Sequence, residues 1–189
     1  MKLNNKYYIL RHGEAVSNVK GICSSWPETF ENPLTEAGVA KVKESAETLK
    51  TKSIDLVFSS DLLRARQTAE IAIAVCGAPV QFDERLREIN FGSMNGQSKE
   101  KWDGGFLDEQ LHLENRAFGG ESYKEVLVRV TKFLQDIDSQ YQGKNILIVS
   151  HQCPLWLLED YVKEIPFRDD MKKNPEDKRI SKGELRELN

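Results

Sequence analysis

Two short apolar runs, far apart in the chain, each end in a histidine, and no other feature restricts the fold as strongly. Tyr7-Tyr8-Ile9-Leu10 leads into Arg11-His12-Gly13-Glu14, and Ile146-Leu147-Ile148-Val149-Ser150 leads into His151. Apolar runs of this length read as buried strands. A third, Leu56-Val57-Phe58-Ser59-Ser60, precedes a stretch containing Arg64. In an open parallel α/β sheet, ligands bind at the carboxyl ends of the strands. Three such strands would deliver two histidines and two arginines to one edge. An arginine fork clamps anions, and a neutral imidazole is a nucleophile or a base.

The segments between these runs carry helical patterns. Thr35 is a good N-cap after Pro33-Leu34, and Ala37, Val39, Ala40, Val42, Ala46 and Leu49 follow at mostly helical spacing. A second helix is predicted over about residues 61–76, stopped by Gly77-Ala78-Pro79 and followed by a short strand at 80–82. Ser122 with Glu125 three residues later makes a capping box. Behind it, Val126, Leu127, Val130, Phe133, Leu134 and Ile137 mark one apolar face. Gly143-Lys144-Asn145 separates that helix from the strand at 146–149, and Pro154 suits the first turn of a helix to about Lys163. Strands alternating with helices predict an α/β three-layer sandwich, with a mostly parallel central sheet and helices on both faces. Residues 92–121 mix glycine, charge and the aromatics Trp102, Phe106 and Phe118, which predicts a partly helical lid or specificity insert. The charged stretch 166–179 reads as a solvated loop, and 184–188 as a last edge strand or a frayed helix.

With 189 residues the chain is expected to form one domain with a real core. Hydrophobic content of 39% and charged content of 30% fit a globular protein. A net charge of -3 argues against a general nucleic-acid binder. No stretch approaches the roughly 18 apolar residues of a membrane helix. The opening residues lack the apolar core of a signal peptide, so a cytoplasmic location without membrane attachment is expected. Cys23, Cys76 and Cys153 form no CxxC motif and read as free thiols of a reducing compartment. Cys153 follows His151 by two residues and is expected near the site. A nucleophilic role for it is not, because the arginines have a better-placed partner in His12. Oligomeric state leaves no mark in the sequence.

Two imidazoles near Glu14 and Glu88 suggest a metal, but Arg11 and Arg64 would repel a cation there, and the spacings match no zinc pattern. No GxxxxGK loop is present, so a P-loop nucleotide site is excluded. An anion fits better: arginines grip phosphate oxygens and a histidine attacks phosphorus. Each residue alone could be a strand-end group paired within the core; their order along the chain favours a site.

The chain resembles the histidine phosphatase superfamily, the phosphoglycerate mutase-like group. The resemblance rests on Arg11-His12-Gly13-Glu14 with Asn18, Pro33-Leu34-Thr35-Glu36-Ala37-Gly38, and Ser60-Asp61-Leu62-Leu63-Arg64-Ala65-Arg66-Gln67-Thr68-Ala69. It continues in Leu86-Arg87-Glu88-Ile89-Asn90-Phe91-Gly92, Gly120-Glu121-Ser122 and Ser150-His151, spanning about residues 6–165. It implies His12 as nucleophile, passing through a phosphohistidine. It implies Arg11, Asn18, Arg64 and His151 as holders of the phosphoryl oxygens, and Glu88 as proton donor to the leaving oxygen. No cofactor or metal is implied. Ser24, Trp26, Phe91 and Gln152 are candidates for the substrate pocket, and Trp26, Phe91 and Trp102 can stack on a ring or belong to the core.

The sequence departs from many relatives at Ala15, where Ser or Thr is common, and at Gln152, where Gly is common. The acid phosphatases of the superfamily place an Asp after the second histidine; Gln152 cannot donate in that way, which favours Glu88. His151-Gln152 with Gly120-Glu121-Ser122-Tyr123 is similar to the fructose-2,6-bisphosphatase domain and makes a sugar phosphate one candidate substrate. The mutases of the group carry a longer insert than residues 93–119, so hydrolysis of a small phosphomonoester is the leading expectation. Mutase-type phosphoryl transfer and a non-catalytic phospho-ligand binding protein are the alternatives.

Overall fold

The computed structural model describes residues 2–104, 113–166 and 179–189. Its strands are β1 (Lys6–Arg11), β2 (Leu56–Ser59), β3 (Val80–Phe82), β4 (Asn145–Ser150) and β5 (Leu185–Glu187), in the spatial order β3-β2-β4-β1-β5. The first four run parallel, and β5 lies antiparallel along β1. The segment 184–188 is therefore an edge strand and not a frayed helix.

Side-chain alternation divides the strand residues between two cores. Tyr7, Ile9, Phe58, Ile146 and Ile148 pack with residues of α5 (Tyr123–Gln140) and α6 (Gln152–Val162). Tyr8, Leu10, Val57, Leu147 and Val149 pack with Ala46 of α2 (Glu36–Glu47) and with Ala65, Ala69 and Ala72 of α3 (Leu63–Cys76). This is the expected three-layer arrangement. Each large apolar side chain so buried stabilises the fold by roughly 1.5–3 kcal/mol. A one-residue slip of any strand would exchange its two faces, so the register is strongly specified.

The helix ends follow their local chemistry. Thr35 Oγ1 accepts from the Gly38 N–H at 3.0 Å at the start of α2. Ser122 Oγ accepts from the Glu125 N–H at 3.3 Å, and Glu125 Oε2 accepts from the Ser122 N–H at 2.9 Å, completing the capping box of α5. Helix α6 starts directly behind His151, so Pro154 falls in its first turn, where a missing N–H loses no helical bond. One short helix, α1 (Val16–Lys20), has no apolar periodicity that would announce it. It is held instead by Asn18, whose Oδ1 accepts from the Ala15 N–H at 2.9 Å.

The 92–121 segment is partly helical, as expected, with 3₁₀ turns at Gly92–Met94 and Ala117–Gly119 and helix α4 (Lys99–Gly104). Trp102 and Met94 pack on Cys23 beneath it. Phe106 and nearly all of the charged stretch 166–179 lie outside the described residues.

Candidate functional site

The parallel register of β1 and β4 pairs Arg11 with Ser150. His12 and His151, the next residues, therefore leave neighbouring strands side by side, with ring centroids 5.0 Å apart. His12 Nδ1 lies 2.7 Å from the Gly13 carbonyl oxygen. A carbonyl can only accept, so Nδ1 carries the proton and Nε2 keeps its lone pair. Arg64 Nε donates to that same Nε2 at 3.3 Å, which requires the same tautomer. Burial, then the charges of Arg64 and Arg11, hold the His12 pKa well below 6.5. The imidazole is thus neutral, with its lone pair beside a guanidinium.

The loop behind His12 rests on the start of α2 at very short range. A Cβ on Gly38 would stand 2.1 Å from the Glu14 carbonyl oxygen, and one on Gly13 would stand 2.6 Å from that of Gly38. Thr35 donates to the Glu14 carbonyl from its N–H at 2.9 Å and to Glu14 Oε1 from its hydroxyl at 2.9 Å. The Pro33–Gly38 motif is therefore a clamp on the His12 loop. A second tie runs to α3, where Gly13 N–H donates to Thr68 Oγ1 at 3.2 Å and Thr68 donates in turn to the Arg64 carbonyl at 2.8 Å.

Arg64, in the first turn of α3, is only 2% exposed. Its Nη2 donates to the Ser24 carbonyl at 2.9 Å and its Nη1 to Ser24 Oγ at 3.4 Å, with Glu28 at 3.6 Å. Burial draws the guanidinium down to about 10, so it stays charged at neutral pH. Asn32, fully buried, donates to Ser24 Oγ and Ser17 Oγ, tying the Arg64 cradle to α1. Arg11 Nη1 donates to the Ile180 carbonyl at 2.9 Å. Because Asn18 Oδ1 is engaged by Ala15, its amide NH₂ is the end left to donate. His151 Nε2 shares a hydrogen bond with Ser60 Oγ at 2.9 Å, and its buried Nδ1 has no partner among the described residues. Burial, then Arg64, keeps His151 well below 6.5 as well.

Of the carboxyls, Glu14 is held by Thr35, and Glu121 by Arg129 Nε at 2.9 Å and the Asn90 N–H at 2.9 Å. Asp103 pairs with Lys99 at 2.7 Å. Glu88, 9% exposed, has only one oxygen engaged among the described residues, accepting from the Ile89 N–H at 2.9 Å. Burial raises its pKa, against the opposing pull of that bond and of Arg64 and Arg11. Such a carboxyl is biased towards its protonated form.

Several of these groups border one cavity of about 300 Å³, while His151 is fully buried and is not on its wall. Arg11, His12, Asn18, Arg64 and Glu88 line it, as do Ser24, Phe91 and Gln152. His151 sits against His12. Trp26 is not on this wall: it is 42% exposed, with the Arg87 guanidinium 5.0 Å over its ring. Phe91 meets Trp102 edge-on at 4.8 Å, and both face the cavity. Cys153 lines it too, but burial pushes its thiol well above 9.0 and that of Cys23 up to about 11, so neither is a ready thiolate. Sequence reasoning missed Lys99, Tyr123 and Arg179 on the wall. Lys99 belongs to the recognised insert, but Arg179 arrives from the tail with no local signal. Among the described residues no cluster of three or more His, Cys, Asp or Glu is placed to hold a metal, and no helix is long and apolar enough to cross a membrane.

Two neutral imidazoles and two guanidinium groups at the carboxyl edge of a parallel sheet define a class of protein that handles phosphoryl groups. The sequence matches the histidine phosphatase superfamily (branch 1) over residues 7–179, and the chain belongs to that family. It is 31% identical over 155 residues to a 2,3-bisphosphoglycerate-dependent phosphoglycerate mutase of Methylocella silvestris, covering 76% of this chain and 74% of that one. Its structure is similar to that of Bacillus stearothermophilus YhfR, with a TM-score of 0.82 and 26% identity, over 96% of this chain and 89% of the other. It is also similar to the alpha-ribazole phosphatase of Shigella flexneri, with a TM-score of 0.77 and 27% identity, over 95% and 88%. Phosphoryl transfer or hydrolysis is the role that family and fold support.

Proposed function

We propose that the protein hydrolyses a small phosphomonoester, with sugar phosphates among the candidates, through a phosphohistidine at His12. The observation that carries this reading is the tautomer of His12, whose Nε2 lone pair is held beside Arg64 in a cavity. In the first step Nε2 attacks phosphorus, an N–P bond forms, and the P–O bond to the alcohol breaks. Glu88 hands its proton to the departing oxygen. In the second step water attacks phosphorus and Glu88, now a carboxylate, takes the water's proton. The N–P bond breaks, and inorganic phosphate leaves with His12 neutral again. Charge on the transferring oxygens is met by Arg11 and Arg64, by the Asn18 amide and by the unspent Nδ1 of His151. Such preorganised donors lower the barrier without reorganisation.

Similarity to a phosphatase supports hydrolysis, and similarity to a mutase supports the second reading, return of the phosphoryl group to the substrate. Dependence on a bisphosphorylated primer separates the two. The phosphohistidine itself is tested by rapid quench with labelled substrate. Phosphoramidates are acid-labile, so label on the protein should survive base and be lost in acid, and His12→Ala should abolish it. Acid-stable label, or an active His12→Ala protein, would refute the intermediate.

A further inference from the structure

Resting on the hydrolase reading of this site, we propose that Arg179 is a specificity-determining residue that binds a second anionic group of the substrate. The substrate class is then a phosphomonoester that also bears a carboxylate or a second phosphate, and not a simple monoester of a neutral alcohol.

Arg179 lines the cavity although it lies 168 positions after Arg11 in the chain. It is 9% exposed, and its Nε has no hydrogen-bond partner among the described residues. Among the described residues no carboxylate forms an ion pair with it, in contrast to Lys99, which Asp103 neutralises at 2.7 Å. A buried guanidinium that no described carboxylate neutralises is unfavourable, and an anionic ligand would offset that cost. Its position is well defined. The guanidinium carbon stands 3.6 Å from the centroid of Trp156, which itself packs edge-on against Tyr123 at 5.5 Å. Stacking fixes the plane of the fork and leaves its edge for bidentate contacts. The next residue, Ile180, gives its carbonyl to Arg11, so Arg179 is mounted beside the anchor of one phosphoryl-binding arginine.

The charges point the same way. Of the four lysine and arginine cations that line the wall among the described residues, Arg11 and Arg64 are the ones assigned above to the phosphoryl group, and Lys99 is paired with Asp103. That leaves Arg179 as a positive charge that the phosphoryl group does not match.

The test compares esters that differ in one anion. Glycerol 3-phosphate and 3-phosphoglycerate differ by a carboxylate; fructose 6-phosphate and fructose 1,6-bisphosphate differ by a phosphate. The wild-type protein should favour the doubly anionic member of at least one pair in kcat/KM. Arg179→Gln should reduce that ratio by about 10- to 100-fold, the loss expected of one charge-assisted partner. Arg179→Lys, which keeps charge and much of the packing on Trp156, should fall between the two and carries the test if the glutamine variant does not fold. The pair that responds identifies the second group as carboxylate or phosphate. A wild-type protein that turns over p-nitrophenyl phosphate but shows no preference in either pair overturns this inference and leaves the hydrolase reading standing. An equal loss on both members of a pair also overturns it, since a merely structural role moves both alike. No turnover of any ester overturns both.

Discussion

Replacing Glu88 by glutamine tests the proton transfer with little disturbance elsewhere. Burial raises the pKa of Glu88, and Glu88→Gln puts in its place a neutral group of nearly the same shape as the protonated carboxyl. The contact with the Ile89 N–H survives, because the glutamine oxygen can accept it in place of Oε1. Only the transferable proton is lost. Removing a general acid costs about 10²–10⁴-fold in rate, or roughly 3–5 kcal/mol of barrier. The whole of that loss should appear with an alkyl phosphate, whose alkoxide must be protonated as it leaves. With p-nitrophenyl phosphate the leaving phenolate is stabilised by its ring, and the loss should be much smaller. The pH profile gives a second reading. The acid must be protonated to act, so wild-type turnover of the alkyl ester should fall as pH rises through the raised pKa of Glu88, and that limb should vanish in the variant. The assay is steady-state kcat/KM for both esters across pH. Equal losses on the two substrates, or a selective loss in Glu121→Gln or Glu14→Gln instead, would refute the assignment.

Arg64→Lys keeps the charge but loses the planar fork that reaches His12, Ser24 and the cavity at once; kcat should fall at least about 10-fold with an unchanged far-ultraviolet spectrum, and wild-type kinetics would show that the fork is not used. Gly38→Ala places a methyl group 2.1 Å from the Glu14 carbonyl, so thermal unfolding should show a loss of about 1–3 kcal/mol or more, together with reduced phosphohistidine formation as the His12 loop is displaced.

The parts of the fold that could be read from the sequence are those whose physics is local. The buried strands announce themselves because both faces are covered, and His12 and His151 stand out because a polar residue ends each run. The capping box at Ser122 and Glu125 marks the start of α5 to the residue. Trp26 shows the limit of that reading: nearness in sequence to Ser24 says nothing of direction, and its ring turns to Arg87 instead of the cavity. Helix α1 escaped notice because a side-chain amide holds it and no apolar stripe marks it. Arg179 escaped because only tertiary structure brings it to Trp156. The motif around Pro33–Gly38 was recognisable as a pattern, yet its purpose, a backbone contact too close for any Cβ at Gly38, appears only in three dimensions.

The strand order carries a consequence for how the protein comes into being. β1 lies between β4 and β5, both of which come from beyond residue 144. β1 therefore has to wait for both of its neighbours, which follow it by well over a hundred residues. Contacts of such large sequence separation form late, after the entropy of closing a long loop has been overcome. Until then His12 has no Ser150 carbonyl to fix its backbone and no His151 beside it. A growing or half-folded chain thus holds all the residues of the Arg11–Glu14 motif and none of its chemistry, and reactivity at His12 becomes a report that these distant segments have met.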